Sequence, residues 1–173
     1  MKTILSKKDI FKLISQKPPL IESYVGLEEQ LQPNGFDLTV KEVAMIQSGG
    51  QIAASNTQRQ ISSLRPLAFD GTDNIDLVAG TYVITFNEIV NLPKNVMALA
   101  SPRSSLLRCG VTVHTAVWDA GYSGRSQSLL VVYNPYHFRL QRNSRVAQLV
   151  FFELAEETEG YNGAYQGENI KRG

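Results

Sequence analysis

The sequence predicts an all-β protein, a sandwich or barrel, preceded by one short helix. Many short strand-like runs follow one another at close spacing, with glycine, proline and asparagine turn signals between them. No helical patterns alternate with these runs, so a parallel α/β sheet is not expected. The 173 residues, 43% of them apolar, are about the size of one domain and are enough to bury a core.

The N-terminal segment "ILSKKDIFKLISQKPP" predicts the helix. Ser6 is a plausible N-cap, and Asp9, three residues later, is a weak capping-box partner. Pro18 and Pro19 are expected to stop the helix. Its apolar face is formed by Ile10, Phe11, Leu13 and Ile14.

The rest of the chain predicts strands separated by turns. Turn signals are "PNG" at 33–35, "GG" at 49–50 and "DG" at 70–71. The strand-like runs are "TYVITF" at 81–86, "VMALAS" at 96–101, "VTVHTAVW" at 111–118, "SLLVVYN" at 128–134 and "RVAQLVFFEL" at 145–154. We therefore expect a single β domain over residues 1–159.

The last residues, 160–173, have a different composition. Glycines surround Tyr161 and Tyr165, and aliphatic side chains are almost absent. One interpretation is a frayed terminus. The other is a mobile lid whose aromatic rings close over a planar ligand.

Charge and cysteine content narrow the function. The net charge of +1, from 17 basic and 16 acidic residues, argues against broad nucleic-acid binding, and we expect no direct contact with DNA or RNA. A single cysteine permits no internal disulfide and fits a reducing compartment. No apolar run has the length of a membrane span, and no signal-peptide pattern is present. A soluble, cytoplasmic protein is expected.

The same composition limits metal chemistry. Cys109, His114 and His137 are the only Cys and His residues, so a zinc site is nearly excluded. A hard ion held by carboxylates and phosphates remains compatible with the sequence.

The stretch "SPRSSLLRCGVTVHTAVWDAGYSGR" at 101–125 gathers anion-binding groups beside a carboxylate. In "PRSS", Pro102 predicts a turn, Arg103 offers a planar fork, and Ser104 and Ser105 offer hydroxyl and backbone N–H groups. This set suits phosphate oxygens, although most such tetrapeptides are ordinary surface turns.

Three further polar residues are candidates. Asp119 ends an apolar run, where Val117 and Trp118 are expected to desolvate it enough to make a useful base. Asp37 begins the run "GFDLTV", and both aspartates are also common turn formers. Gln148, inside the apolar run "RVAQLVFF", needs a polar partner or a ligand.

In order, the chain has G-F-D-L, P-R-S-S-L, W-D-A-G-Y-S-G, R-V-A-Q-L-V and a Gly/Tyr tail. This layout resembles the five motifs of the dUTPase and dCTP deaminase superfamily over nearly the whole chain. The segments "ILSKKDIFKLI", "EEQLQPNGFDL" and "LVAGTYVITFNEIVNLP" look like the deaminase branch, whereas "PRSS" looks like dUTPases. The combination is similar to the archaeal-type dUTPases.

The resemblance implies a distorted jelly-roll protomer and a homotrimer with shared active sites. It implies hydrolysis of dUTP to dUMP and pyrophosphate with Mg²⁺, which supplies dUMP and limits uracil in DNA. Asp119 matches the aspartate that activates the attacking water. The implied ligand-binding residues are Arg103, Ser104, Ser105, Arg108 and Gln148 for phosphate, Tyr122 under the deoxyribose, and Asp37 for the metal through water.

The base-binding region is also implied by the resemblance. A hairpin around residues 111–118, with His114, Thr115 and Trp118, reads uracil, largely through backbone groups. Tyr161, Tyr165 and Gln166 of the tail complete the implied substrate-binding set.

Two alternatives stay open. A dCTP deaminase, or a bifunctional enzyme, needs a glutamate after the aspartate, but Val131 stands at the matching place. No Asp or Glu occurs from Ala120 through Phe152, so Glu153 is the nearest candidate from elsewhere. Ala164 and Glu168 also depart from the deaminase tail, which tends to have lysine and glutamine there. The second alternative is a non-catalytic trimeric nucleotide-binding protein.

Overall fold

The computed structural model describes residues 4–170. Helix α1 spans Lys7–Ile14, and its capping box is present: the Asp9 N–H donates to Ser6 Oγ, and the Ser6 N–H donates to Asp9 Oδ2. The helix prediction is confirmed, but the helix ends before Pro18 is reached. Phe11, predicted on the apolar face, is 50% exposed, whereas Ile10 and Ile14 are buried.

The remaining elements are mostly strands. Two further short helices are α2 (Leu27–Gln30) and α3 (Ser104–Arg108), with a 3₁₀ turn at Asn56–Gln58. The strands are β1 (Ile21–Glu22), β2 (Leu31–Gln32), β3 (Gly35–Ile46), β4 (Leu64–Leu67), β5 (Asn74–Leu77), β6 (Gly80–Phe86), β7 (Ile89–Asn91), β8 (Val96–Pro102), β9 (Val111–His114), β10 (Ser123–Gly124), β11 (Gln127–Val132), β12 (Phe138–Gln141) and β13 (Arg145–Glu153).

One antiparallel sheet dominates the architecture. Its strand order is β8-β13-β3-β6-β11-β9, with β2 and β4 also paired to β3. Two small sheets, β1-β7-β10 and β12-β5, complete a nearly closed barrel-like body. The largest fully buried side chains include Phe36, Phe86, Phe151, Leu130 and Leu149. The all-β, distorted jelly-roll prediction is confirmed.

Within the described residues, no helix is both long and apolar enough to cross a membrane.

The predicted strand over residues 111–118 is wrong in its second half. β9 ends at His114, the last residue that pairs with β11. The backbone instead crosses to β8, where Trp118 forms an isolated bridge with Ala98. Residues 111–118 therefore form one strand and a loop, not a hairpin paired with itself.

The long strand β3 is irregular where it meets its neighbours. Its register with β6 shifts between Val40 and Glu42, and its register with β13 shifts between Arg145 and Ala147. Such bulges bend a strand and turn its side chains, and they are frequent beside functional sites. Asp37 lies on β3 close to both irregularities.

Candidate functional site

A pocket of about 500 Å³ opens between the turn after Trp118 and the C-terminal tail. Aromatic rings and two carboxylates dominate its wall. The lining residues are Ile61, Ala116, Val117, Trp118, Asp119, Tyr122, Ser126, Gln127, Tyr161, Tyr165 and Glu168. No Lys, Arg or His is among them.

Trp118 anchors the turn that presents Asp119. Its backbone exchanges two hydrogen bonds with Ala98, at 2.9 and 3.1 Å, and its indole Nε1 donates to Ser126 Oγ at 3.1 Å. The Trp118 side chain is buried, but Asp119 itself is exposed. The expected desolvation of Asp119 is therefore not found in the single chain, where Val117 is also half exposed.

Tyr122 lies on the floor of the pocket. Its ring is buried and meets the Tyr161 ring edge-on, with centroids 5.8 Å apart. Its hydroxyl donates to Glu168 Oε1 at 2.8 Å. Burial and the neighbouring Glu168 charge raise the pKa of Tyr122, and burial raises the pKa of Glu168. Tyr122 therefore stays a protonated donor at neutral pH.

The described part of the tail, residues 160–170, docks on its own chain. Tyr161 N donates to Ala120 O at 2.7 Å, and Gly167 N donates to Ser123 O at 2.7 Å. Gln166 accepts from Ser123 N through Oε1 and donates to Gly121 O through Nε2. The described tail thus forms one wall of the pocket, and residues 171–173 of the predicted lid lie outside the described residues.

The segment between β3 and β4, residues 47–63, forms the remaining rim of the pocket. Ile61, on this segment, lines the pocket, and Arg59 lies over the Tyr165 ring, 5.5 Å from its centroid. Sequence analysis missed both residues because nothing in the local pattern brings this segment to the tail.

A second polar cluster centres on Asp37. Its Oδ2 lies 3.1 Å from Arg103 Nε and 3.4 Å from Arg145 Nη1. Burial raises the pKa of Asp37, and the two guanidinium groups oppose that rise. Gln148 stands directly opposite Asp37 in the β3–β13 ladder. Arg145 was missed, although it begins the same "RVAQLV" run that singled out Gln148.

The "PRSS" segment is the start of a helix and not the predicted turn. Pro102 is the last residue of β8, and Arg103 is the N-cap of α3, with extended backbone angles. Ser104 and Ser105 lie exposed in the first turn of α3, and Arg108 is exposed at its end.

On one chain, the Asp119 pocket and the Asp37 cluster lie at different points along β8. Trp118 bridges Ala98, whereas Arg103 lies five residues further along the same extended segment. At about 3.3 Å per residue, the backbone path from Ala98 to Arg103 is roughly 16 Å. The structure therefore brings Asp119, Trp118, Tyr122 and the tail residues together, and separately groups Asp37, Arg103 and Gln148 beside α3. His114 and Thr115 precede the pocket residues without lining the pocket.

The fold is an antiparallel β barrel that carries an aromatic, carboxylate-bearing pocket and an arginine–aspartate cluster. The dCTP deaminase-like family matches residues 4–154. The chain belongs to this family.

Relatives within the family are similar over most of their length. The chain is 51% identical over 170 residues to the "Probable deoxyuridine 5'-triphosphate nucleotidohydrolase" of Methanosarcina acetivorans, covering 98% of this chain and 99% of the relative. It is 37% identical over 141 residues to the deoxyuridine 5'-triphosphate nucleotidohydrolase of Methanocaldococcus jannaschii, covering 81% and 89%.

A solved structure has the same fold. The 2'-deoxycytidine 5'-triphosphate deaminase from Agrobacterium tumefaciens superposes with a TM-score of 0.66 at 21% identity, covering 87% of this chain. The match spans 48% of the deaminase chain, about half its length. At this identity, the likeness concerns the fold.

Proposed function

We propose that the chain hydrolyses dUTP to dUMP and pyrophosphate. The observation that carries this proposal is the exposed Asp119 carboxylate at the edge of an aromatic pocket large enough for a nucleoside. The names of the archaeal relatives, similar over nearly the full chain, support the same activity.

In the proposed reaction, Asp119 takes a proton from a water molecule as the water oxygen attacks the α-phosphorus of dUTP. The new P–O bond forms as the bond between the α-phosphorus and the bridging oxygen breaks, and pyrophosphate leaves. The Asp119 carboxylate makes no hydrogen bond within residues 4–170, so it is available to orient water. Cations contributed by a second protomer would stabilise the charge that develops on the phosphate oxygens.

The pocket walls suit the nucleoside. Tyr161 and Tyr165 offer rings for stacking on a base, and Tyr122 provides a face for the deoxyribose. We propose that backbone groups of the loop after β9, with His114, Thr115 and Trp118, select uracil. Gln166 contributes by holding the tail on the Gly121–Ser123 backbone.

In this proposal, a second subunit supplies most of the positive charge for the triphosphate. The lining contains two carboxylates and no cation, and only Arg59 lies over the Tyr165 ring at the described rim. Arg103 lies roughly 16 Å along the backbone from Ala98, the residue bridged to Trp118. A homotrimer with shared sites would place Arg103, Ser104, Ser105, Arg108 and Gln148 of one protomer beside the Asp119 pocket of the next. Asp37 would then fix the direction of Arg103 through their ion pair.

Mg²⁺ fits this site as an ion carried mainly by the triphosphate. Among residues 4–170, no group of three or more His, Cys, Asp or Glu side chains is placed to hold a metal. Asp37 is buried and engaged by two arginines, so it suits contact through water better than direct ligation. When bound, Mg²⁺ would neutralise phosphate charge.

In the deaminase alternative, the structure replaces Glu153 with Glu168 as the candidate acid–base residue. Glu153 does not line the pocket, and Val131 is buried in β11, but Glu168 faces the same cavity as Asp119. This shared position keeps dCTP deamination as the second candidate, and burial raises the pKa of Glu168. Its Oε1 is engaged by the Tyr122 hydroxyl, and this favours a role in holding the tail.

We expect pyrophosphate from dUTP and no ammonia from dCTP. Purified protein with Mg²⁺ is incubated with each nucleotide, and pyrophosphate and ammonia are measured separately. Ammonia release at a rate comparable with dUTP turnover would support the deaminase. Binding of dUTP without either product would support the non-catalytic alternative.

We also expect dUTP hydrolysis to stop in EDTA and to return when Mg²⁺ is added in excess, because the phosphate charge would otherwise be only partly neutralised. Pyrophosphate release is followed during the addition. As a control, Zn²⁺ is added in an amount smaller than the EDTA can bind, and this should not restore the reaction. Full turnover in chelator would contradict the role given to Mg²⁺.

A further inference from the structure

Glu88 is a buried carboxylate with no role in the proposed reaction. It lies between β6 and β7 and has no solvent exposure. Its Oε1 accepts from Gln30 Nε2 at 2.7 Å and from Thr39 Oγ1 at 2.6 Å, and its Oε2 accepts from Thr39 N at 2.9 Å. Burial raises the pKa of Glu88, and these donors oppose the rise.

The polar groups around Glu88 are hydrogen-bond donors, so they suit a side chain that accepts hydrogen bonds. A carboxylate accepts at both oxygens, whereas the amide of a glutamine would turn an NH₂ group toward one of these donors. Gln30 cannot simply reverse its own amide, because its Oε1 already accepts from Val25 N and Gly26 N at 2.7 and 2.8 Å. The network therefore specifies the residue type at position 88.

This network is continuous with the Asp37 cluster. Gln30 Nε2, which donates to Glu88, also donates to the backbone oxygen of Asp37 at 2.8 Å. Thr39, which donates twice to Glu88, is two residues from Asp37 on β3 and stands opposite Arg145 in the ladder with β13. Glu88 thus fixes both sides of the segment that carries Asp37.

Asn87, which precedes Glu88, holds the same segment of β3 where its register with β6 shifts. Asn87 Nδ2 donates to Thr39 Oγ1 at 2.9 Å and to Val40 O at 3.3 Å, where the β3–β6 register shifts. Backbone hydrogen bonds also hold this point, from Asn87 N to Thr39 O at 2.9 Å and from Val40 N to Ser144 O at 3.0 Å. The side-chain hydrogen bonds of Asn87 and Glu88 add to them where the regular ladder is interrupted.

We propose that Glu88 is a positioning residue that sets the direction of the Arg103 and Arg145 guanidinium groups by holding the Asp37–Thr39 backbone. The effect of Glu88 on catalysis rests on the proposed function, in which Arg103 binds the phosphates and Arg145 shares its Asp37 partner. A misplacement of about 1 Å in such groups lowers rates by up to about 10²-fold, although Glu88 itself touches no substrate.

The test compares Glu88→Gln and Thr39→Val with Tyr82→Phe. Thr39→Val keeps the side-chain shape and removes one donor to Glu88, so it serves even if Glu88→Gln fails to fold. Tyr82→Phe removes the part-buried hydrogen bond from the Tyr82 hydroxyl to Val78 O, which precedes β6, and controls for a general loss of stability. Melting temperature, kcat, KM and inhibition by pyrophosphate and by deoxyuridine are measured for each protein.

We expect kcat/KM for dUTP to fall about 10-fold or more in the first two variants, and the inhibition constant for pyrophosphate to rise. The inhibition constant for deoxyuridine should stay within about twofold, and Tyr82→Phe should change neither constant at a comparable melting temperature. Equal changes for both inhibitors, or for all three variants at matched stability, would overturn the proposal.

A second readout separates this proposal from the proposed function. The Nε–H signals of Arg103 and Arg145, followed by NMR, should shift in Glu88→Gln and Thr39→Val and stay in place in Tyr82→Phe. Unchanged arginine signals in Thr39→Val would overturn the positioning role, whatever the enzyme assay gives. Shifted signals in a protein without dUTP turnover would keep the positioning role and reject the proposed function.

Discussion

Replacing Asp119 with asparagine is expected to lower dUTP turnover by about 10²- to 10⁴-fold, the usual contribution of a general base. The amide keeps the shape of the side chain and removes its capacity to accept a proton. Asp119 is exposed and follows the anchored Trp118, so the substitution leaves no buried donor unsatisfied. The fold and the pocket should therefore be unchanged.

Single-turnover rates measure this effect apart from product release. Binding of a non-hydrolysable dUTP analogue and the melting temperature serve as controls, and both should match those of the parent protein. Turnover of Asp119→Asn at a rate near that of the parent would reject Asp119 as the base.

The same variant tests whether sites are shared. If Arg103 of one protomer serves the Asp119 pocket of another, a mixed trimer of Asp119→Asn and Arg103→Ala subunits contains some sites with both residues intact. Refolding the two inactive variants together should then restore part of the activity. No restoration, with mixed trimers demonstrated by mass spectrometry, would place each complete site within one chain.

Local signals in the sequence predicted much of the fold. The Ser6–Asp9 capping box and the alternating run at 81–86 depend on neighbours within a few residues, and the structure has both. The strand predicted at 111–118 is wrong in its second half because its apolar residues pair with two different strands: Val111 and Val113 pair with β11, whereas Trp118 bridges to Ala98 on β8. Periodicity alone does not reveal such a change of partner.

The candidate site was predictable only where its residues lie in motifs. Asp119, Tyr122 and Tyr161 line one pocket, but sequence separation hid the contact of Glu168 with Tyr122 across 46 positions. Arg145 reaches Asp37 across 108 positions. Long-range polar contacts of this kind follow from the packing of strands and carry no local pattern.

Removing residues 160–173 is expected to lower dUTP turnover on the order of 10²-fold with only a small fall in melting temperature. The strands end at Glu153, so the barrel core is retained, and only the partly buried Tyr161 is lost from its edge. The open pocket would leave the substrate solvated and poorly oriented. Unchanged turnover would show that the tail is a frayed end, and unfolding would show that it is structural.

A point substitution tests the same closure without shortening the chain. Gly121 has a φ of +83°, and a Cβ there would lie 2.7 Å from Gly160 Cα and 2.9 Å from Tyr161 N. Gly121→Ala must therefore displace the tail. Gly110→Ala is the matched control, because Gly110 has a φ of +70° while its Cβ would meet Asn134 at an ordinary 3.4 Å. Both variants share the backbone strain of about 1–2 kcal/mol. Only Gly121→Ala should raise KM for dUTP and expose Trp118 to a fluorescence quencher, since only there does the added methyl group compete with the tail for the same space.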